Sequence, residues 1–201
     1  MKLFLKAGAC SLSPHIVLEE TGLPYETEAV DLKTKVTASG QDYCSVNAKG
    51  YVPALQLDDG ELLTEGPAIV QYLADQVPAK RLAPANGTRE RYRLQSWLTF
   101  IGTEVHKSFS PFFNPAAGED WKAAALANLE RRLDYTNREM EGKSYLLGED
   151  FSVADAYLFT VLNWARFIKL DLARWPNLAA FQARVVARPA VQAALKAEGL
   201  A

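Results

Sequence analysis

The spacing of apolar residues changes character once along the chain, and that change limits it to a two-part architecture. Up to residue 78, short strand-like runs alternate with helical ones; from residue 89 onward every long segment has helical period. "KLFLK" (2–6) reads as a strand, and "PHIVLEETG" (14–22) as a helix with Pro14 in its first turn and Gly22 as its stop. "YETEAVDL" (25–32) alternates like a second strand. "VPALQLDDGELL" (52–63) sets Asp59-Gly60 between two apolar runs, a hairpin signal, and "EGPAIVQYLADQV" (65–77) returns to helical period. That order implies a small mixed sheet covered by helices. "PAKRLAPANGT" (78–88) combines Pro, Gly and Asn without periodicity, as linkers do. Helical segments then fill 89–109, 119–142 and 151–168, followed by "WPNLAAFQARVVAR" and "PAVQAALKAEG". Ser152-x-x-Asp155 resembles a capping box, with Asp in place of the usual Glu or Gln. The expected division is an α/β domain over 1–78, a linker over 79–87 and an all-helical domain over 88–201.

Composition narrows the function classes. Hydrophobic residues make up 49% of the 201, enough for a packed core, and the formal net charge is -2 with no long basic run. Nucleic-acid binding leaves a basic footprint that this chain lacks. Asp155, Asn163 and Arg166 break the longest apolar stretches, so no segment is expected to span a membrane. Only a few apolar residues precede Lys6, too short a run for a secretory signal. Two cysteines, Cys10 and Cys44, make no disulfide framework, and a cytoplasmic setting with reduced thiols is expected. No metal is expected.

Cys10 falls between the first strand and the first helix. A helix N-terminus presents unpaired N–H groups and partial positive charge, which favour a thiolate; a cysteine at the same place can equally be inert filling. Cys10-Ser11-Leu12-Ser13 has no second thiol three residues on, so thiol chemistry here would need a partner thiol from outside the motif. In "GYVPALQL" the residue before Pro53 is held extended. A cis Val52–Pro53 bond would let Val52 offer its backbone to a peptide laid alongside; otherwise the stretch is an edge-strand turn. In "TEGPAIVQYL", Glu65 and Gly66 open a helix. Backbone N–H groups there suit a carboxylate and Glu65 suits an ammonium, or Glu65 merely answers the helix dipole. His106, three residues after Thr103, shares that residue's helix face. Cys44 and His15 match no motif and read as structural.

Taken together, "GACSLSPHIVL", "GYVPALQL", "LTEGPAIVQYLAD", "EVHK" and "FSVADAYLF" resemble, end to end, the bacterial beta class of glutathione transferases. The resemblance implies an α/β N-terminal thioredoxin-like domain followed by an all-α helical domain. It implies glutathione as co-substrate, a small hydrophobic electrophile as its acceptor, and a homodimer. Cys10 would face the glutathione sulfur and form a mixed disulfide with it. Val52 would pair with the cysteinyl backbone, Glu65 and Gly66 would hold the γ-glutamyl end, and Lys35 would reach the ligand. Thr99, Thr103 and His106 would contact it from the helical domain, with His106 a donor or weak base at the sulfur. Lys107 would bias the site electropositive, and Glu104 would face the neighbouring subunit's ligand. Phe109, Phe112, Phe113 and Trp164 would line an apolar acceptor site.

Three positions depart from the family pattern. Leu5 stands where many relatives carry tyrosine, which shifts the sulfur-donor role to Cys10, Ser11 and His106. Gly66 replaces a frequent serine, and Thr99 a common asparagine. The implied activity is conjugation of glutathione to electrophiles with Cys10-dependent thiol–disulfide or peroxide chemistry. Reductive dehalogenation of aromatic-degradation intermediates and non-catalytic binding of hydrophobic ligands are the alternatives.

Overall fold

The computed structural model describes residues 1–201. Its strands are β1 (Lys2–Leu5), β2 (Glu26–Asp31), β3 (Val36–Thr37), β4 (Ala54–Gln56) and β5 (Leu62–Thr64). Its helices are α1 (Leu12–Thr21), α2 (Tyr43–Val46), α3 (Gly66–Gln76), α4 (Arg89–Phe100), α5 (Lys107–Phe109), α6 (Glu119–Glu139), α7 (Val153–Leu162), α8 (Pro176–Val186) and α9 (Pro189–Ala197). Two compact units result: Met1–Ala83 with Ala187–Ala201, and Pro84–Val186.

In the first unit the five strands form one sheet in the order β3-β2-β1-β4-β5. β1 lies parallel to β2; its pairing with β4, and those of β4 with β5 and β2 with β3, are antiparallel. β1 is central, which is why Leu3, Phe4 and Leu5 are all buried and the strand shows no alternation. The hairpin turns at Gly60 (φ 92°), with the Leu57 N–H donating to the Glu61 carbonyl at 2.8 Å. α1 stops at Gly22, whose left-handed backbone (φ 72°) returns its N–H to the Leu18 carbonyl. The flanks of α1 are covered by α3, through the Ile69-Val70-Leu73-Ala74 stripe, and by α9.

The placement of α9 corrects the expected division of the chain, which assigned everything from residue 88 on to the helical domain. α9 buries Val191, Ala194 and Leu195, and it belongs to the first unit. The Arg188 guanidinium before it grips the Glu20 carboxylate of α1 at 2.6 and 3.0 Å. A helical stripe states that a helix will form; it does not name the surface that covers it.

In the second unit α7 is buried on every face and is the core helix, contacting α4 and α8. The expected capping interaction is present. One Asp155 carboxylate oxygen accepts from the Ser152 N–H (2.8 Å) and hydroxyl (2.7 Å), and the other from the Leu146 N–H (2.8 Å). Burial pushes the Asp155 carboxyl up to about 6, against those hydrogen bonds. The stretch 89–109 is not one regular helix. Between α4 and α5 the chain widens into π-type turns over Ile101–His106, the segment that carries Thr103, Glu104 and His106. Such widened turns are frequent where a helix is shaped for function. No helix is long and apolar enough to cross a membrane.

Candidate active site

In the first unit four predicted residues, Cys10, Lys35, Glu65 and Gly66, converge from three parts of the chain on the backbone segment 50–53, which carries the fifth, Val52. The Val52–Pro53 bond is cis. The Cys10 thiol donates to the Val52 carbonyl at 3.3 Å. The Lys35 ammonium donates to the Gly50 carbonyl at 2.6 Å. Glu65 accepts from the Tyr51 hydroxyl at 2.8 Å, and Gly66 lies against the Pro53 ring, 3.6 Å from where a Cβ would stand. Lys35 (φ 60°) and Glu65 (φ 69°) have left-handed backbone dihedrals without being glycine. Such residues cost about 1–3 kcal/mol each and cluster at ligand sites.

Cys10 sits on a tight loop between β1 and α1. The Lys6 carbonyl accepts the Ala9 N–H, and the Ser11 hydroxyl bridges the Lys6 N–H (3.1 Å) and carbonyl (3.2 Å). This corrects the expectation for Ser11: it is fully buried and its hydroxyl is committed to Lys6, so it is no donor to a ligand sulfur. As donor to the Val52 carbonyl, Cys10 is present as the thiol, because a thiolate has no proton to donate.

Glu65 has partners that motif reading missed. Its carboxylate accepts from the Lys49 ammonium at 2.7 Å as well as from Tyr51, and Lys49 also reaches the Thr64 hydroxyl at 2.9 Å. Hydrogen bonding to Glu65 raises the pKa of both Lys49 and Tyr51. Lys49 immediately precedes the "GYVPALQL" run and Tyr51 is its second residue, so the visible signal is a cation and a phenol beside a proline turn. Cys44, expected to be structural, is exposed, its Sγ 3.5 Å from a Cβ position on Gly50.

In the second unit the His106 Nδ1 lies 2.7 Å from the Tyr157 hydroxyl, and its ring stands edge-on to Trp164 at 4.8 Å. Burial, with a smaller contribution from the Lys107 charge, lowers its pKa to about 4. At neutral pH the imidazole is therefore uncharged. The Thr103 hydroxyl donates to the Thr99 carbonyl at 3.0 Å, and Thr99, Thr103 and Lys107 are exposed. Glu104 is engaged by Arg132, at 2.8 Å from Nε and 2.7 Å from a terminal nitrogen. The aromatic residues divide. Phe113 is exposed and Phe112 half-buried, whereas Trp164 is buried, packing against Phe113 at 5.7 Å between ring centroids, so it backs the patch and does not form the lining expected of it. Phe109 is wholly buried against Trp164, so it is core packing and not the lining expected of it. Phe167, exposed at 6.3 Å from Phe113, extends the patch and was missed.

Family models for the glutathione S-transferase N-terminal and C-terminal domains match residues 7–76 and 100–189. Glutathione S-transferase GstA of Escherichia coli O157:H7 is 51% identical over the whole of both chains. The chain belongs to the glutathione S-transferase family. Among solved structures, a sphingomonad glutathione S-transferase complexed with glutathione is 51% identical, with a TM-score of 0.96 over 100% of both chains. The bacterial beta-class enzyme of Sphingomonas chungbukensis is 49% identical, with a TM-score of 0.97 over the same coverage. The transferase is therefore a beta-class member with the two-part architecture read from its sequence. No group of three or more His, Cys, Asp or Glu side chains in this transferase converges to hold a metal ion.

Proposed function

We propose that the first unit binds glutathione along the 50–53 segment and that the protein transfers it to hydrophobic electrophiles. The observation that carries the reading is the convergence of a thiol, an ammonium, a carboxylate and a helix N-terminus on one short stretch of backbone. Glutathione carries the complementary set. Its α-ammonium suits Glu65, its γ-glutamyl carboxylate suits the Gly66 end of α3, its second carboxylate suits Lys35, and its cysteinyl backbone suits Val52. The glutathione sulfur then lies beside Cys10. In conjugation the glutathione thiolate attacks an electrophilic carbon and the leaving group departs with its electron pair. The exposed Phe113 and Phe167 suit an apolar acceptor, and His106 takes part as a neutral imidazole.

The finer part of the proposal is a redox activity of Cys10. The Cys10 thiolate attacks the glutathione sulfur of a mixed disulfide RS–SG, forming Cys10–S–SG and releasing RS⁻. A second glutathione thiolate resolves it, giving oxidised glutathione and restoring Cys10. The protein acts in the cytoplasm as a homodimer, two-fold symmetry being the commonest arrangement, and light scattering at micromolar concentration should give twice the chain mass.

Side-by-side assay of a chloro-nitroarene, a glutathione mixed disulfide and a hydroperoxide tests the proposal in Cys10→Ala and Cys44→Ala. Cys10→Ala should lose disulfide exchange while keeping glutathione binding and most conjugation; Cys44→Ala should keep all of them. Full disulfide exchange in Cys10→Ala, or a glutathione adduct found only on Cys44 by mass spectrometry, would refute the role of Cys10.

A further inference from the structure

The loop that presents Cys10 is held from the far end of the chain. Glu198, at the C-terminal end of α9, is 1% exposed at its side chain and uses both carboxylate oxygens. One accepts the Gly8 N–H at 2.8 Å; the other meets His15 Nδ1 at 2.8 Å. Gly8 is two residues before Cys10, and His15 lies in the first half of α1, five residues after it. The carboxylate therefore ties the loop to the helix on either side of the thiol. Beyond His15 the chain of contacts continues: Nε2 lies 3.1 Å from the Tyr25 hydroxyl, which in turn donates to Glu19. The Leu200 methyls sit 3.7 and 3.8 Å from where a Cβ on Gly8 would be, closing the loop from outside.

A buried carboxylate is costly unless its oxygens are satisfied, and here the donors come from the two elements that flank Cys10. Helix packing does not require this arrangement. The Arg188–Glu20 pair anchors the start of α9 to α1 without touching the loop.

We propose that Glu198 is a positioning residue for Cys10: by holding the Gly8 N–H and His15 together it sets where the thiol lies relative to the Val52 carbonyl. Its consequence for catalysis rests on the proposed reaction of Cys10 with glutathione. Placement errors of an ångström at a reacting group cost up to about a hundredfold in rate, so loosening the loop should cost about tenfold. Glutathione binding is supplied mainly by Lys35, Val52, Glu65 and Gly66, which Glu198 does not touch, so its KM should move little.

The test uses the full-length chain carrying Cys44→Ser, so that Cys10 is the only thiol. Glu198→Asp keeps the charge but is one methylene too short to span Gly8 and His15; Glu198→Gln keeps the length and an acceptor; Arg188→Ala removes the other anchor of α9. Iodoacetamide alkylation of Cys10, measured without glutathione, should quicken about tenfold in Glu198→Asp and stay within about twofold of the parent in Glu198→Gln and Arg188→Ala. In Glu198→Asp, kcat for disulfide exchange should fall about tenfold at a nearly unchanged KM for glutathione. An unchanged or slower alkylation rate in Glu198→Asp overturns the proposal. So does an equal quickening in Arg188→Ala at a matched loss of Tm, because the effect would then be general destabilisation. If alkylation responds as expected while parent and variants alike lack disulfide exchange, the redox reading fails and the positioning role stands.

Discussion

Lowering the pH should destabilise the protein through His106 in a way that one substitution removes. The imidazole is enclosed against Tyr157 and Trp164, and burial holds its pKa at about 4 against an ordinary value of 6.5. Between those two values the unfolded chain binds a proton that the folded chain does not. Stability is therefore complete above pH 6.5 and is lost as pH falls through 4. At roughly 1.4 kcal/mol per pH unit, the full span is worth about 3 kcal/mol, of which about 2.5 kcal/mol is lost by pH 4.5. Asp155 acts in the opposite sense. Its pKa is raised to about 6, so its contribution is complete below 3.8 and is lost as pH rises through 6. The two partly offset each other in the native protein, and the informative quantity is a difference between variants. His106→Gln does not titrate and can still bond the Tyr157 hydroxyl. Urea unfolding at pH 7 and pH 4.5 should show the native protein losing about 2–3 kcal/mol more than His106→Gln over that interval. Equal losses in the two proteins would mean that His106 is not held neutral by its surroundings.

Asp155→Ala removes the acceptor of two backbone N–H groups and a hydroxyl, and should cost about 2–4 kcal/mol in urea unfolding; a loss under 1 kcal/mol would mean that water replaces the carboxylate. Gly66→Pro deletes an N–H from the first turn of α3 and should weaken glutathione binding by about 1.5–3 kcal/mol in calorimetry; unchanged affinity would move the γ-glutamyl subsite elsewhere. Lys49→Met removes a cation that competes for the Glu65 carboxylate, so the KM for glutathione should fall at low salt, with the difference shrinking as salt rises; a higher KM would make Lys49 part of the ligand's own cradle.

The candidate site was legible in proportion to how locally each part is encoded. Cys10 could be placed because a strand ending at Leu5 and a helix starting near Pro14 leave it only one kind of position. Glu65 and Gly66 could be placed because Pro67 and the apolar period after it mark a helix start. Lys49 and Tyr51 escaped notice because their significance is a shared partner, Glu65, on another element. Ser11 was misread for a related reason. Its position beside Cys10 is local, but the direction of its hydroxyl is decided by the Lys6 backbone turning back over it. Phe109 and Phe113 are alike in sequence terms, and only packing makes one core and the other surface.

The same distinction separates the two kinds of information in this chain. Turn residues, caps and apolar periods act on a few neighbouring dihedrals, so Asp59-Gly60, Gly22 and Ser152–Asp155 specify their elements wherever those elements end up. That is why the order of strands and helices and the two-part texture can be read directly. Which surfaces meet depends on complementary burial between segments distant in the chain, and no local period records it. The return of α9 to the first unit, the Arg188–Glu20 pair and the burial of Glu198 between Gly8 and His15 are of this second kind. A carboxylate near the C-terminus looks like solvated charge in the sequence. It becomes a support for the Cys10 loop only because packing α9 on α1 removes it from water and leaves two donors within its reach.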